Sequence, residues 1–224
     1  MRLLYRVGGK YKYVARYDVN SYYKSIDHQV LLSLLKDIKI DDELIDIVSQ
    51  LLSVPDVGNT GKGMVAGSSL SPLLGAVYLN TLDHQLDSNR HIIYVRYMDD
   101  FVILAKTRWH LRQSIKTTQR IISKLKLRLH DKQKCFIGKL AKGFDFLGYQ
   151  FYLSGKLQPS SVALGRLISR YARLKEQGAS YEQLWTYVSR WYQWLHGGLK
   201  GYVVRRGVGW YIYNILKDGV FETN

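Results

Sequence analysis

Two β-rich runs, residues 91–97 and 101–105, are separated only by Met98-Asp99-Asp100, and this constrains the chain more than any other feature. Parallel strands need a crossover of a dozen or more residues, so a connection this short joins antiparallel neighbours. The two runs read as a hairpin with both carboxylates at its tip. Residues 11–19 are a third aromatic and β-branched run, ending near Asp18. An antiparallel sheet with acidic residues at its strand ends is therefore expected.

The segments between these strands carry helical periodicity. Asp27 reads as the N-cap of a helix through Leu31, Leu34 and Leu35. Asp41 opens a second helix, with Leu44, Ile45, Val48, Leu51 and Leu52 on one face. Residues 57–69 are crowded with Gly and Ser and read as a loop. Ser71 then caps a helix with Pro72 at its first position, followed by Leu73, Leu74, Val77, Tyr78, Leu82 and Leu86. After the hairpin, Leu111, Ile115, Ile122, Leu125 and Leu129 mark a helix whose outer side bears Arg108, Arg112, Lys116, Arg120 and Lys124. Runs at 135–138 and 144–152 read as a further β pair. Beyond Gly155 the chain turns helical and rich in tryptophan. Ser154, Gly155 and Pro159 place a boundary there, dividing the chain into residues 1–154 and 155–224.

Charge points to a polyanionic partner. The 224 residues carry a formal net charge of +15. Residues 1–102 hold 11 basic and 12 acidic side chains, whereas residues 103–224 hold 22 and 6. The acidic strand ends lie in the balanced half. Two carboxylates about 4 Å apart repel by roughly 4 kcal/mol at an effective dielectric near 20, so such a cluster raises a pKa or binds cations. A single cysteine, Cys135, excludes a disulfide framework and a thiolate metal cluster, and points to a reducing cytoplasm. The amino terminus is charged too early for a signal peptide. The longest apolar run, residues 70–79, is too short to cross a bilayer, so no membrane partner is expected.

Four motifs then stand in order: Asp18-Val-Asn-Ser-Tyr-Tyr23, Ser71-Pro72 through Asn80 to Asp83, Tyr94-Val-Arg-Tyr97-Met98-Asp99-Asp100-Phe101, and Phe146-Leu147-Gly148-Tyr149. Their order and spacing resemble motifs A, B, C and E of reverse transcriptases, and most nearly the bacterial group II intron-like and retron-type members. The resemblance is good over about residues 10–153 and looser beyond. It implies an α+β fold, a right-hand polymerase palm of antiparallel sheet backed by helices, with a helical thumb at 155–224. The implied activity is RNA-directed DNA polymerisation, extending a DNA or RNA primer with dNTPs on an RNA template by two-metal-ion nucleotidyl transfer.

By the same resemblance, Asp18, Asp99 and the Val19 carbonyl hold two Mg²⁺ ions, replaceable by Mn²⁺, and Asp100 supports the second. Tyr23 is the steric gate that crowds a ribose 2′-hydroxyl, and Gly67, Ser71 and Pro72 belong to nucleotide binding. Tyr97 and Met98 meet the primer end and templating pair, and Phe146, Leu147, Gly148 and Tyr149 form the primer grip, although these could equally be core residues of a strand. Lys134, with Lys132 as competitor, is placed to protonate the leaving pyrophosphate. In the thumb, Arg205 and Arg206 are candidates for duplex contact, while most tryptophans are expected in its core.

Two departures from the family pattern stand out. Ala66 occupies a position where the family has a glutamine that helps seat nucleotide and template. Only 17 residues precede Asp18, so a missing segment or a partner chain is expected to supply fingers, with Arg2, Arg6, Lys10, Lys12 and Arg16 the candidates in this chain. A catalytically impaired, truncated polymerase serving as an RNA-binding, maturase-like module is the alternative. Other nucleotide enzymes fit poorly: Gly61-Lys62 lacks the remaining P-loop residues, no strand leads into Gly61 for a dinucleotide fold, and Tyr-Met-Asp-Asp stands where a palm-fold cyclase would have Gly-Gly-Asp-Glu-Phe.

Overall fold

A computed structural model describes residues 10–53, 61–64, 68–131, 135–152, 156–197, 199, 201, 203 and 214. Gly67, Lys132, Lys134, Arg205 and Arg206 lie outside these residues, as do Arg2, Arg6 and Ala66. The chain divides into two compact units, one spanning Tyr11–Gly138 and the other containing the described residues from Lys139 onward.

In the first unit the order is β1 (Tyr13–Asp18), α1 (Tyr22–Ser25), α2 (His28–Asp37), α3 (Asp42–Leu52), α4 (Ser71–Tyr78), α5 (Asn80–Asp87), β2 (Ile92–Tyr97), β3 (Asp100–Ala105), α6 (Arg108–Lys124) and β4 (Phe136–Lys139). The four strands form one sheet in the order β2-β3-β1-β4. Both β1 and β2 run antiparallel to β3, with Asp18 and Tyr97 each opposite Asp100. Phe101 to Ala105 are all at most 1% exposed. Such a continuous apolar run marks a central strand covered on both faces, and each large side chain there contributes about 1.5–3 kcal/mol. Helix α6 packs on β1 and β3, and α5 packs on β2 and α6.

Side-chain caps and cross-links fix the helices. The Asp27 carboxylate accepts from the Val30 N–H at 3.1 Å, capping α2, and from Lys126 Nζ at 2.8 Å, just beyond α6. Burial opposes its ionisation, but the Lys126 ammonium and the Val30 N–H hold the carboxyl below the usual range. Tyr78 on α4 donates its buried hydroxyl to the Leu125 carbonyl at 2.7 Å, joining α4 to the end of α6.

Several expectations need correction. The helix begun at Ser71 breaks at Leu79 (φ −95°, ψ 2°) into α4 and α5. Ser71 is its first helical residue; Leu70 occupies the cap position and makes no side-chain cap bond. The turn α1 is too short to leave a periodic signal. On α3 only Ile45 and Leu52 are buried, and Leu44 is exposed. The run at 135–138 does not pair with 144–152. It contributes to β4 at the edge of the four-stranded sheet, while 144–152 folds back on itself.

The second unit holds the small sheet β5 (Phe144–Phe146), β6 (Tyr149–Phe151) and β7 (Gln158–Pro159), then α7 (Ser161–Glu176) and α8 (Tyr181–His196). Ser160 caps α7, and Ser180 with Gln183 forms a capping box on α8. The buried stripe of α8 is Leu184, Val188 and Leu195. Its tryptophans fall beside that stripe: Trp185 and Trp194 are nearly half exposed and Trp191 is half-buried, contrary to the expected tryptophan core.

Candidate active site

The site grows from the sheet register. Because Asp18 closes β1 opposite Asp100, the β2–β3 turn of Met98 and Asp99 lies beside the end of β1. The Val19 N–H donates to the Asp99 carbonyl at 3.3 Å and extends that pairing by one residue. On the other side of β1 the segment after α6 closes in. Here the Asn20 N–H donates to the Arg128 carbonyl at 2.8 Å, and the His130 N–H donates to the Asp18 carbonyl at 2.9 Å. This brings His130 Nε2 within 4.0 Å of the Asp18 carboxylate.

Asp18 and Asp99 feel each other. Burial first, then the Asp18 charge, pushes the Asp99 carboxyl above its ordinary range, against the opposing pull of its own backbone N–H and of His130. Met98 adopts φ 55°, the positive φ that a tight hairpin turn demands at its first central residue and that glycine usually supplies. Holding a methionine there costs of order 1–3 kcal/mol, a strain typical of functional turns. Tyr97 and Met98 are 57% and 43% exposed, so both face outward at the turn.

A charged network supports the turn. Arg96 on β2 donates Nε to Asp83 Oδ1 at 2.7 Å, Nη2 to Asp83 Oδ2, and Nη1 to the Met98 carbonyl at 2.9 Å. Tyr94 donates its hydroxyl to the same Asp83 at 2.8 Å. Neither the Arg96–Asp83 pair nor His130 was assigned a role from sequence. The available signal was an arginine on a half-buried strand three residues before an Asp-Asp pair, which must find a partner.

The tyrosines after Asp18 pack on α4. A Cβ at Gly75 would lie 3.0 Å from Tyr23 Cε1 and 3.2 Å from Tyr22 Cε1, so a larger residue would push these rings back by a few tenths of an ångström. Tyr22 is buried and bonds the Gly75 carbonyl, whereas Tyr23 is half-buried. The Tyr23 phenol is raised in pKa by burial and by the Asp99 carboxylate, which puts its ring within electrostatic reach of Asp99. Ser71 and exposed Pro72 stand in the first turn of α4. Thus Asp18, Val19, Asp99 and Asp100 meet at one strand end, with Tyr23 nearby.

In the second unit, Leu147 (φ 49°) and Gly148 (φ 82°) form the β5–β6 turn, and paired positive φ values are the signature of a type I′ hairpin. Phe146 and Tyr149 are buried, and the Tyr149 hydroxyl donates to the Leu195 carbonyl at 2.9 Å. Their side chains serve this unit's packing, which leaves the half-buried Leu147-Gly148 turn as the part accessible to a ligand.

The family pattern for reverse transcriptase (RNA-dependent DNA polymerase) matches residues 3–151. The chain belongs to the reverse transcriptase family. Among solved structures, the chain is similar to telomerase from Candida albicans in complex with a fragment of telomeric RNA. The two are 13% identical with a TM-score of 0.57, over 100% of this chain and 46% of the telomerase. Apo telomerase from Candida tropicalis is also similar, 13% identical with a TM-score of 0.56, over 75% of this chain and 39% of that one. These likenesses establish the fold, a mixed palm with antiparallel sheet and helices, and the chain spans less than half the length of either telomerase. No curated protein matches the sequence.

Reverse transcriptases use divalent metal ions. Among the described residues, no group of three or more His, Cys, Asp or Glu side chains forms a ready-made ion cage. The donor set still suits magnesium, which binds through one or two carboxylates, retains waters and draws its remaining ligands from substrate phosphates. Asp18 beside Asp99 is such a set: burial and the neighbouring Asp18 charge raise the Asp99 carboxyl, and that repulsion is what a bound cation would relieve. Also among the described residues, no helix is long and apolar enough to cross a membrane.

Proposed function

We propose that this chain is an RNA-directed DNA polymerase of the group II intron-like or retron type that extends a primer with dNTPs on an RNA template, acting in the cytoplasm. The observation that carries this reading is the meeting of the Asp18 and Asp99 strand ends, where Asp18 lies opposite Asp100 and the Val19 N–H donates to the Asp99 carbonyl at 3.3 Å. Asp18, Asp99 and the Val19 carbonyl would hold two Mg²⁺ ions, or Mn²⁺ in their place, with Asp100 supporting the second. When bound, such ions lower the pKa of the primer 3′-hydroxyl and neutralise charge on the leaving pyrophosphate.

The remaining roles belong to the protein. Tyr23, braced by Gly75, crowds the sugar 2′ position and selects deoxynucleotides. Gly67, Ser71 and Pro72 seat the nucleotide, and Lys134 delivers a proton to the leaving group. Exposed Tyr97 and Met98 meet the primer end and templating base, while Arg96 holds the Met98 carbonyl in place. Residues 1–154 act as palm, with the Phe146-to-Tyr149 turn as primer grip, and residues 155–224 act as a thumb in which Arg205 and Arg206 touch the duplex backbone.

Extension of oligo(dT) on poly(rA) by the chain, compared with oligo(dT) on poly(dA), tests the reading. Mg²⁺-dependent extension preferring the RNA template supports it, and absence of extension on either template refutes it.

A further inference from the structure

Beyond the active site, the first unit carries two adjoining hollows. One, about 640 Å³, lies among α2, α5 and the end of α6 and is lined in part by Arg120, Lys124 and Lys126. The other, about 700 Å³, is lined in part by Lys62, Lys126 and Arg128, and Lys126 stands in the wall of both. Among the described residues, no carboxylate lines either hollow, and no residue of the Asp18–Asp99 site does. Asp27 pairs with Lys126 and partly cancels its charge. Arg120, Lys124 and Arg128 are exposed, and none forms an ion pair with a described residue.

The basic row on α6 explains why the charge collects here. Arg108, Arg112, Lys116, Arg120 and Lys124 recur every fourth residue, and each such step rotates about 40° around a helix of 3.6 residues per turn. The row therefore spirals, turning about 160° from Arg108 to Lys124, and only its last two cations reach the hollow. Lys62, Lys126 and Arg128 complete a patch that no single helix would present.

We propose that this double hollow docks a base-paired RNA segment through its sugar-phosphate backbone, separately from the template path. Uncommitted cations favour a polyanion. The neutral polar side chains of the lining, Ser33, Thr81, Gln85 and Gln119 among them, stand between apolar ones such as Leu34 and Leu125 and supply donors and acceptors suited to ribose 2′-hydroxyls. Among the described residues, no aromatic side chain lines either hollow to offer the stacking platforms used for single strands, so a helix is the better fit. Such docking would let the enzyme hold a structured part of its own RNA while copying another part, and in that respect it rests on the polymerase reading.

The test is titration of the full chain with a blunt RNA hairpin of about 20 base pairs, a length that spans two minor grooves, offering no primer end. The variant Arg120→Gln/Lys124→Gln removes two lining cations. Arg108→Gln/Arg112→Gln removes two cations from the same helix outside the hollows, at equal net charge. The lining pair is expected to weaken hairpin binding about tenfold near 0.1 M salt and to flatten the log-log salt slope by roughly 1.5–2 units, the control pair far less. Equal effects of the two pairs, no effect of the lining pair, or an equal loss of binding to a DNA hairpin would each overturn the proposal. Extension of a short primer on an unstructured template is read in parallel and should be unchanged by the lining pair. Its absence in every protein, wild type included, would refute the polymerase reading while hairpin binding still reports on this surface.

Discussion

Replacing Asp83 with alanine tests whether the Arg96 network holds the Met98-Asp99 turn. Asp83 accepts two bonds from Arg96 and one from Tyr94, and the two charged side chains are only 13% and 29% exposed for Arg96 and Asp83 respectively. Removing one partner of a fully buried pair costs about 3–5 kcal/mol. Water reaching the part-exposed Asp83 side reduces this to about 2–3 kcal/mol here. For a chain of this size that lowers Tm by roughly 5–10 °C. Arg96 also fixes, at 2.9 Å, the carbonyl of Met98, the residue at φ 55° that precedes Asp99. Losing its anchor should let the turn relax, and a displacement near 1 Å at reacting groups costs on the order of 100-fold in rate. The expected result is a fall in kcat of about 10–100-fold with a smaller change in KM for dNTP. A double-mutant cycle with Arg96→Ala should show about 2 kcal/mol of coupling. An Asp83→Ala protein within about 0.5 kcal/mol of wild type, or one losing as much stability when Arg96 is already alanine, would refute the reasoning.

Gly148→Ala would put a Cβ 2.7 Å from Trp194 Cη2 at a backbone φ of 82°. The left-handed backbone costs about 1–2 kcal/mol and overpacking about 1–3, so urea denaturation should register a loss of roughly 2–4 kcal/mol; a loss below about 1 would contradict the close approach. Tyr23→Ala should raise ribonucleotide incorporation relative to deoxynucleotide, measured as a ratio of kcat/KM values; an unchanged ratio removes Tyr23 from the gate. In chelator, Asp99→Asn should stabilise the fold at neutral pH by about 1 kcal/mol or less, given partial exposure. The Asp99 carboxyl is raised in the folded state, so folding binds a proton, and wild-type stability falls as pH rises from the ordinary carboxylate range through the folded value. The stabilisation should therefore vanish in acid, and melting curves showing it unchanged with pH would contradict the assignment.

Much of the first unit was legible because its signals are local. The Met98-Asp99 turn between two β-rich runs dictated an antiparallel hairpin, and Asp27 announced its cap by type and position. What the sequence hid depends on distant partners. Arg96 and Asp83 lie on different elements, and nothing in either's neighbours says that they meet. The break at Leu79 interrupts an apolar periodicity that continues through Leu82 and Leu86, so α4 and α5 look like one helix. The run at 135–138 had two possible strand partners, and propensity cannot choose the edge of β1 over the adjacent hairpin. The tryptophans misled because size suggests burial, whereas the angular position around α8 decides it. At the site, the motif pattern named Asp18 and Asp99 and the acidic strand ends already implied repulsion, but only the strand register shows how the two strand ends come together.

The most direct test of the central claim is the rate of dTMP incorporation on poly(rA)·oligo(dT) by wild type, Asp18→Asn and Asp99→Asn in Mg²⁺, with template-primer affinity measured alongside. If these two carboxylates carry the reaction, each variant should lose at least about 1,000-fold in kcat, equivalent to roughly 4 kcal/mol of barrier, while binding the duplex as tightly as wild type or more so. Incorporation by either variant within about tenfold of wild type would contradict the account.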